Sequence, residues 1–189
     1  MKLIWKVFGF LLFTALTTSE LHFSIYKLEC INEKDSNYTK NISCFLKTIS
    51  RGLNVLTSLS DLVIPMNYIN CNIATLQKSS ANTYNTIIIN NTFEVCSMVE
   101  NAPPMIKFIL PLISSFAPNL IHACPYEGRR IGVENMPIDM SLLPLVTLSN
   151  MPKGDYRVDV SYYDKWWNNV HWIKLFGAIQ QKRFKKKHV

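Results

Sequence analysis

The sequence predicts an all-β fold, an antiparallel sandwich or barrel interrupted by one short helical excursion. Three observations carry this. Several short segments alternate apolar and polar residues with a period of two, the signature of half-buried strands. Polar, Asn-rich turns separate them at short spacing, as in antiparallel β domains. The 189 residues are 48% hydrophobic and 17% charged with only 6 Gly, which excludes disorder, collagen and low-complexity fibres and suits a single packed domain.

Taken in order, residues 1–19 read as a secretory signal peptide. Lys2 and Lys6 make its positive start, Val7 to Leu16 its apolar stretch, and Thr17 and Ser19 the small residues ahead of a cleavage before Glu20. That apolar stretch is too short to cross a bilayer core, which needs about 20 residues. No later segment is apolar for long enough either, so no transmembrane segment is expected.

The body, residues 20–180, begins with Ser24 to Cys30, where Tyr26, Leu28 and Cys30 share one face and Lys27 and Glu29 the other. Asn32 to Asn37 is a polar turn. Ile42, Cys44 and Leu46 alternate with Ser43 and Lys47, and Ile69, Cys71 and Ile73 alternate with Asn70 and Asn72. Thr86 to Ile89 is β-branched and bounded by Asn. Pro103-Pro104 then opens a run with Phe108, Leu112 and Phe116 at four-residue spacing, which predicts a helix near 104–116, started by proline and kinked or ended by Pro111. Val158, Val160 and Tyr162 alternate with Arg157, Asp159 and Ser161. A final hairpin joins strand 155–163 to strand 169–179 through a turn near Asp164 to Asn168. Residues 181–189 form a basic C-terminal tail.

The net charge of +7 belongs to the ends. Lys2, Lys6, Lys182, Arg183, Lys185, Lys186 and Lys187 account for all of it, leaving residues 7–181 balanced. A fold-wide phosphate-binding face, and with it nucleic-acid binding, is therefore not expected. The tail reads as a solvated end or as a contact for an extracellular protein or an acidic surface.

No enzyme is expected. G-x-S-x-G, H-E-x-x-H and Gly-rich phosphate loops are absent. His122 close to Cys124 invites a Cys–His nucleophile, but that needs a free thiolate, which an oxidising compartment disfavours. His122 instead suits a turn held by a ring hydrogen bond, and His171 beside Trp172 reads as structural. Asp155, Asp159 and Asp164 read as solvated charge, Asp155 in a turn and Asp159 facing out of a strand. His122 and Cys124 supply two of the four ligands that a zinc site usually needs, so neither metal nor cofactor is expected.

The run Cys30, Cys44-Phe45-Leu46-Lys47, Arg51-Gly52, Asn91-Thr92 and Cys96 continues into Pro118-Asn119-Leu120-Ile121-His122-Ala123-Cys124-Pro125-Tyr126 and Met151-Pro152-Lys153-Gly154-Asp155-Tyr156. Together these segments resemble an insect family of small secreted proteins of unknown function, related to the ML (myeloid-differentiation-factor-2-related lipid-recognition) proteins. The resemblance spans roughly residues 24–179. It implies an immunoglobulin-like β-sandwich that holds a lipid between its sheets, in extracellular transport or chemosensory signalling, with no assigned catalytic residue. Cys71 and the lysine-rich tail depart from the family pattern.

Five cysteines allow fifteen ways to form two bridges. Cys30 and Cys44 sit near the ends of consecutive strands that could form a hairpin, and Cys96 and Cys124 flank the helical excursion, so the expected pairs are Cys30–Cys44 and Cys96–Cys124. Cys71 is either a buried, inert thiol or the site of an intermolecular bridge. Three sequons place expected glycans at Asn37, Asn41 and Asn90, on the surface.

The ligand expected is a lipid or other hydrophobic small molecule, with fatty acid and cuticular hydrocarbon as examples. An acyl chain of about fifteen methylenes offers roughly 12 kcal/mol of gross transfer free energy. The residues proposed to line the cavity are Ile69, Ile73, Ile87 and Ile89 from the strands, Phe108, Leu112 and Phe116 from the helix, and Trp166, Trp167, Trp172 and Phe176 from the last hairpin. Trp166 and Trp167 are adjacent and point to opposite faces, so one of them is expected at an exposed tip. The alternative is a non-catalytic extracellular protein or glycan interaction module with a solid core.

Overall fold

The computed structural model describes residues 21–31, 37–50, 53–102, 104–117, 119–138 and 151–181. The expected signal peptide, residues 32–36 of the polar turn expected at 32–37, Arg51-Gly52 and the expected tail from residue 182 onward lie outside these. The chain is an all-β sandwich of two antiparallel sheets. Its strands are β1 (Leu21–Ile31), β2 (Thr39–Ser50), β3 (Leu53–Leu62), β4 (Asn70–Lys78), β5 (Tyr84–Glu94), β6 (Ile131–Ile138), β7 (Gly154–Tyr163) and β8 (Asn169–Gln181). Between β5 and β6 lie α1 (Met98–Asn101) and α2 (Pro104–Ser114). The larger sheet has the order β1-β8-β7-β4-β5, the smaller β2-β3-β6.

The alternating segments fall in β1, β2, β4 and β7, the β-branched run in β5, and the second strand of the expected last hairpin is β8. Two strands carry no signal of these kinds. β3 is the middle strand of the small sheet, and every residue from Val55 to Asp61 is buried. With both faces covered, polar and apolar residues need not alternate. β6 is an edge strand whose Gly132, Glu134, Asn135 and Pro137 break any pattern, and an edge is where a sheet tolerates proline.

β1 and β2 do not form the expected hairpin. β1 pairs with β8 and β2 with β3, so the chain crosses from one sheet to the other between them. The Cys30–Cys44 disulfide therefore staples the two sheets together. The Cys96–Cys124 disulfide closes the helical excursion. α2 starts at Pro104 and runs through Pro111 to Ser114, so Pro111 does not end it. A proline there removes one i→i−4 hydrogen bond, and the helix continues past that gap.

The tightest core lies at one end of the sandwich. Met66, Ile69, Cys71, Val95, Met98, Ala102, Tyr126 and Val170 form one buried cluster. Met66 and Tyr126 exchange backbone hydrogen bonds of 2.8 and 2.9 Å, which ties the β3–β4 connection to the segment after the helices. Tyr126 adds a 2.6 Å hydrogen bond from its hydroxyl to the Leu120 carbonyl. At the same end, the β7–β8 turn is closed by Asp164. Its Oδ1 accepts from the backbone N–H groups of Trp166 and Asn168, each at 2.8 Å, while Oδ2 accepts from Tyr38 at 2.6 Å.

Candidate functional site

The register of β8 decides what reaches the space between the sheets. His171 stands opposite Tyr162 on β7, and Tyr162 opposite Cys71 on β4, so these three share one face. Ile173, Val160 and Ile73 follow two residues along on the same face. Across from them the small sheet presents Ser58, Ser60 and Leu62 of β3 and Ile131, Gly132 and Val133 of β6. Between the two layers lies a cavity of about 80 Å³, completed by Thr39, Ile69, Val95, Leu120, Tyr126 and Val170.

The lining is apolar and contains no Asp, Glu, Lys or Arg. Most of its polar groups have partners within the fold. Thr39 Oγ1 donates to the Val170 carbonyl at 3.2 Å, Ser58 Oγ lies 3.5 Å from Cys30 Sγ, and the Tyr126 hydroxyl is taken up by Leu120. His171 is the exception among the described residues. It is 7% exposed, and neither Nδ1 nor Nε2 has a hydrogen-bond partner. Burial pulls its pKa down to about 4, because the charged imidazolium would lose its hydration without gaining a counter-charge. Burial likewise pushes the Cys71 thiol up to about 12, and holds the Tyr162 hydroxyl well above the ordinary phenol value. At neutral pH the cavity is therefore uncharged.

Gly132 lets the layers approach at this point. Its φ of +140° lies where side chains are strained, and a Cβ there would collide with the Ser58 carbonyl oxygen. This is a close-approach glycine that sequence reading does not single out.

Of the residues proposed from sequence, Ile69 lines the cavity and Ile73 packs half-buried against the neighbouring core. Ile89 and Phe116 are half-buried but do not border the cavity. Ile87 is 60% exposed on the edge strand β5. The side chains of Phe108 and Leu112 lie outside the described ones. Trp166 and Trp167 are both exposed, 73% and 59%, at the β7–β8 tip, where the turn carries them past the end of the sheet. Trp167 adopts a φ of 64° there. Trp172 and Phe176 fall on the outer face. Each has the opposite parity to His171 and Ile173, and each carries a lysine over its ring: Lys174 at 4.3 Å and Lys27 at 5.1 Å respectively. Sequence reading missed His171 as a cavity residue. The signal available was Lys174, whose charge marks the parity of Trp172 and Phe176 as solvent-facing.

The acidic residues are less solvated than expected. Asp159 is buried and receives both Arg157 Nε and a terminal guanidinium nitrogen, at 2.7 and 2.8 Å. Asp164 is buried beneath the hairpin turn. Burial pushes its pKa up, but hydrogen bonds from Tyr38, Asn168 and the turn amides outweigh this and hold it below the usual carboxylate value. Asp155 lies within β7, 3.6 Å from Lys78, rather than in a turn. His122 stacks on Tyr126 at 4.3 Å, and its Nδ1 lies 2.6 Å from the Ala123 carbonyl. The Cys124 sulfur is in a disulfide and offers no thiolate to it. Cys71 is free but 3% exposed, so it has no route to another chain. Asn37, Asn41 and Asn90 are exposed, although Asn41 donates its side-chain amide to Asp61 at 2.8 Å. Among the described residues no cluster of His, Cys, Asp and Glu could hold a metal ion, and no helix is long and apolar enough to cross a membrane.

The class these features define is a two-sheet antiparallel β-sandwich with an uncharged, mainly apolar inter-sheet cavity. A family described as "Protein of unknown function (DUF1091)" matches residues 71–158, from Cys71 in β4 to Val158 in β7. No curated protein matches the chain.

Proposed function

We propose that this is a secreted, non-catalytic binding protein that holds a hydrophobic small molecule between its two sheets, as the resemblance to ML proteins implies. The observation that carries the reading is the cavity of about 80 Å³, walled by apolar residues of both sheets and free of charged side chains. It is about half the size of a cavity that takes a benzene ring, with room for about three carbon-sized groups. That suits a short amphipath or the end of a longer chain, and about three methylenes bring roughly 2 kcal/mol of gross transfer free energy. An acyl chain of about fifteen methylenes would enter whole only if the sheets part further. Two disulfides fit an oxidising compartment, and with the expected leader they support secretion. Extracellular transport or chemical signalling is the role we infer.

Native mass spectrometry of the protein secreted from insect cells, before and after delipidation, tests this. A co-purifying or rebindable apolar ligand is expected. No binding across a panel of acids, alcohols, esters and hydrocarbons would overturn the reading.

The exposed Trp166 and Trp167 support a second reading, a surface contact with an extracellular protein or an acidic surface at the β7–β8 tip. Large exposed aromatic pairs are common at interfaces because one anchor buries much apolar area. Replacing both by Ala should then abolish partner capture without lowering the melting temperature, and unchanged capture would remove the tip from consideration.

A further inference from the structure

We propose that the inter-sheet cavity selects ligands carrying one neutral oxygen, an alcohol or a carbonyl compound on a short aliphatic body, over carboxylates and over plain hydrocarbons. This rests on the hydrophobic-ligand reading above and names the chemistry of the ligand.

The argument starts from His171. Its ring borders the cavity, is more than nine-tenths buried, and has no partner on either nitrogen. A neutral imidazole carries one N–H donor and one bare acceptor nitrogen. Leaving such groups unmet in an apolar site is unfavourable, so an occupant that meets one of them gains over one that meets neither. A hydroxyl can donate to the bare nitrogen or accept from the N–H. A carbonyl oxygen can accept from the N–H. A hydrocarbon does neither, and if it displaces water from the ring it loses that water's hydrogen bond as well.

A carboxylate fails for a different reason. It could accept from the N–H, but it would enter a cavity whose lining has no Lys or Arg. The remaining titratable neighbours on that face, Cys71 and Tyr162, are acids that stay protonated and offer no positive charge. Burying an anion without a counter-charge is strongly unfavourable. The same burial keeps His171 itself from becoming the missing cation at neutral pH. The rest of the lining, with Leu62, Ile69, Val95 and Ile173, offers contact to an aliphatic body.

The test titrates heptanol, heptanoate and heptane into the secreted, delipidated protein at neutral pH, following ligand line broadening and the nitrogen-15 shifts of the His171 ring. Heptanol should bind about tenfold tighter than heptane, as one satisfied hydrogen bond predicts, and tighter still than heptanoate. Its binding should also move the His171 nitrogen shifts. His171→Phe should remove the preference for heptanol and leave heptane affinity unchanged. If His171→Phe is not secreted, the wild-type ranking and the ring shifts decide alone. Equal affinity for heptanol and heptane, a preference for heptanoate, or binding without a His171 shift would overturn this inference while leaving the binding-protein reading intact. Failure of all three to bind would overturn both.

Discussion

The two faces of β8 differ in one respect: the outer face satisfies its own polar groups almost completely and the inner face does not. Outside, Lys174 lies over Trp172, Lys27 over Phe176, and Arg157 over Tyr84 at 5.3 Å while also gripping Asp159. The Trp172 indole nitrogen is the one buried polar atom left over on that side among the described residues. Inside, a single titratable ring sits at a cavity with both nitrogens unmet. The charged face is thus self-contained and structural, while the neutral face keeps an open valence. That contrast is why the ligand site we propose belongs where charge is lowest.

The largest effect expected comes from closing the inner face. Gly132→Ala sets a Cβ against the Ser58 carbonyl at a φ that disfavours side chains. Backbone strain and overpacking together should cost about 3 kcal/mol or more. Thermal unfolding should show a drop of roughly ten degrees. A melting temperature within two or so degrees of wild type would mean that the sheets are not so closely opposed at this point.

A pH effect of similar size separates the faces without changing a contact. The folded protein holds His171 neutral down to about pH 4, whereas the unfolded chain protonates it from about 6.5. Below the unfolded value the unfolded state binds the extra proton, so stability falls as pH falls through that window. The full loss is about 3 kcal/mol. His171→Phe should flatten the stability curve between these values relative to wild type, read by urea unfolding at stepped pH. Parallel curves would show that His171 is solvated and that the inner face is not as dry as its burial implies.

The same contrast explains what was legible in the sequence. Four of the eight strands, β1, β2, β4 and β7, contain segments of period-two alternation, while β5 shows as a β-branched run and β8 as the second strand of the last hairpin. β3 was not legible since both its faces are covered, nor β6, an edge strand interrupted by Gly132 and Pro137. The cavity was half-legible. Ile69 lines it as the sequence predicts, but Trp172 and Phe176, predicted with it, face outward. Charge was the better guide: Lys174 between them fixes their side of the sheet, and with it the inward direction of His171 and Ile173. Asp159 misled in the opposite sense. Its outward direction was readable, but its burial comes from Arg157 folding over it, which no local pattern announces. The β1–β2 hairpin was inferred from sequence proximity, whereas the sandwich uses that connection to change sheets.

On the outer face, Arg157→Ala should cost about 2 kcal/mol, less than the 3–5 typical of orphaning a fully buried charge. Asp159 would lose its bidentate partner but still stand directly across from Lys174 in the β7–β8 register. Ligand affinity should not change, since none of these residues borders the cavity. Calorimetric binding of heptanol to the variant checks this, and a lost affinity would show that the faces are coupled through the sheet.

The smallest effect separates two roles of one lysine. Lys174→Ala removes a cation lying over Trp172, worth about 0.5–1 kcal/mol at such a site, and in the wild-type background it should cost no more than that. In the Arg157→Ala background the same change removes the only cation left facing Asp159 among its paired neighbours, and the cost should rise above the sum of the two single substitutions. A double-mutant cycle on urea midpoints measures the excess. Strict additivity would mean that Asp159 is held by Arg157 alone and that Lys174 serves only the tryptophan. A positive excess would show the outer face acting as one network, which is the property the inner face lacks.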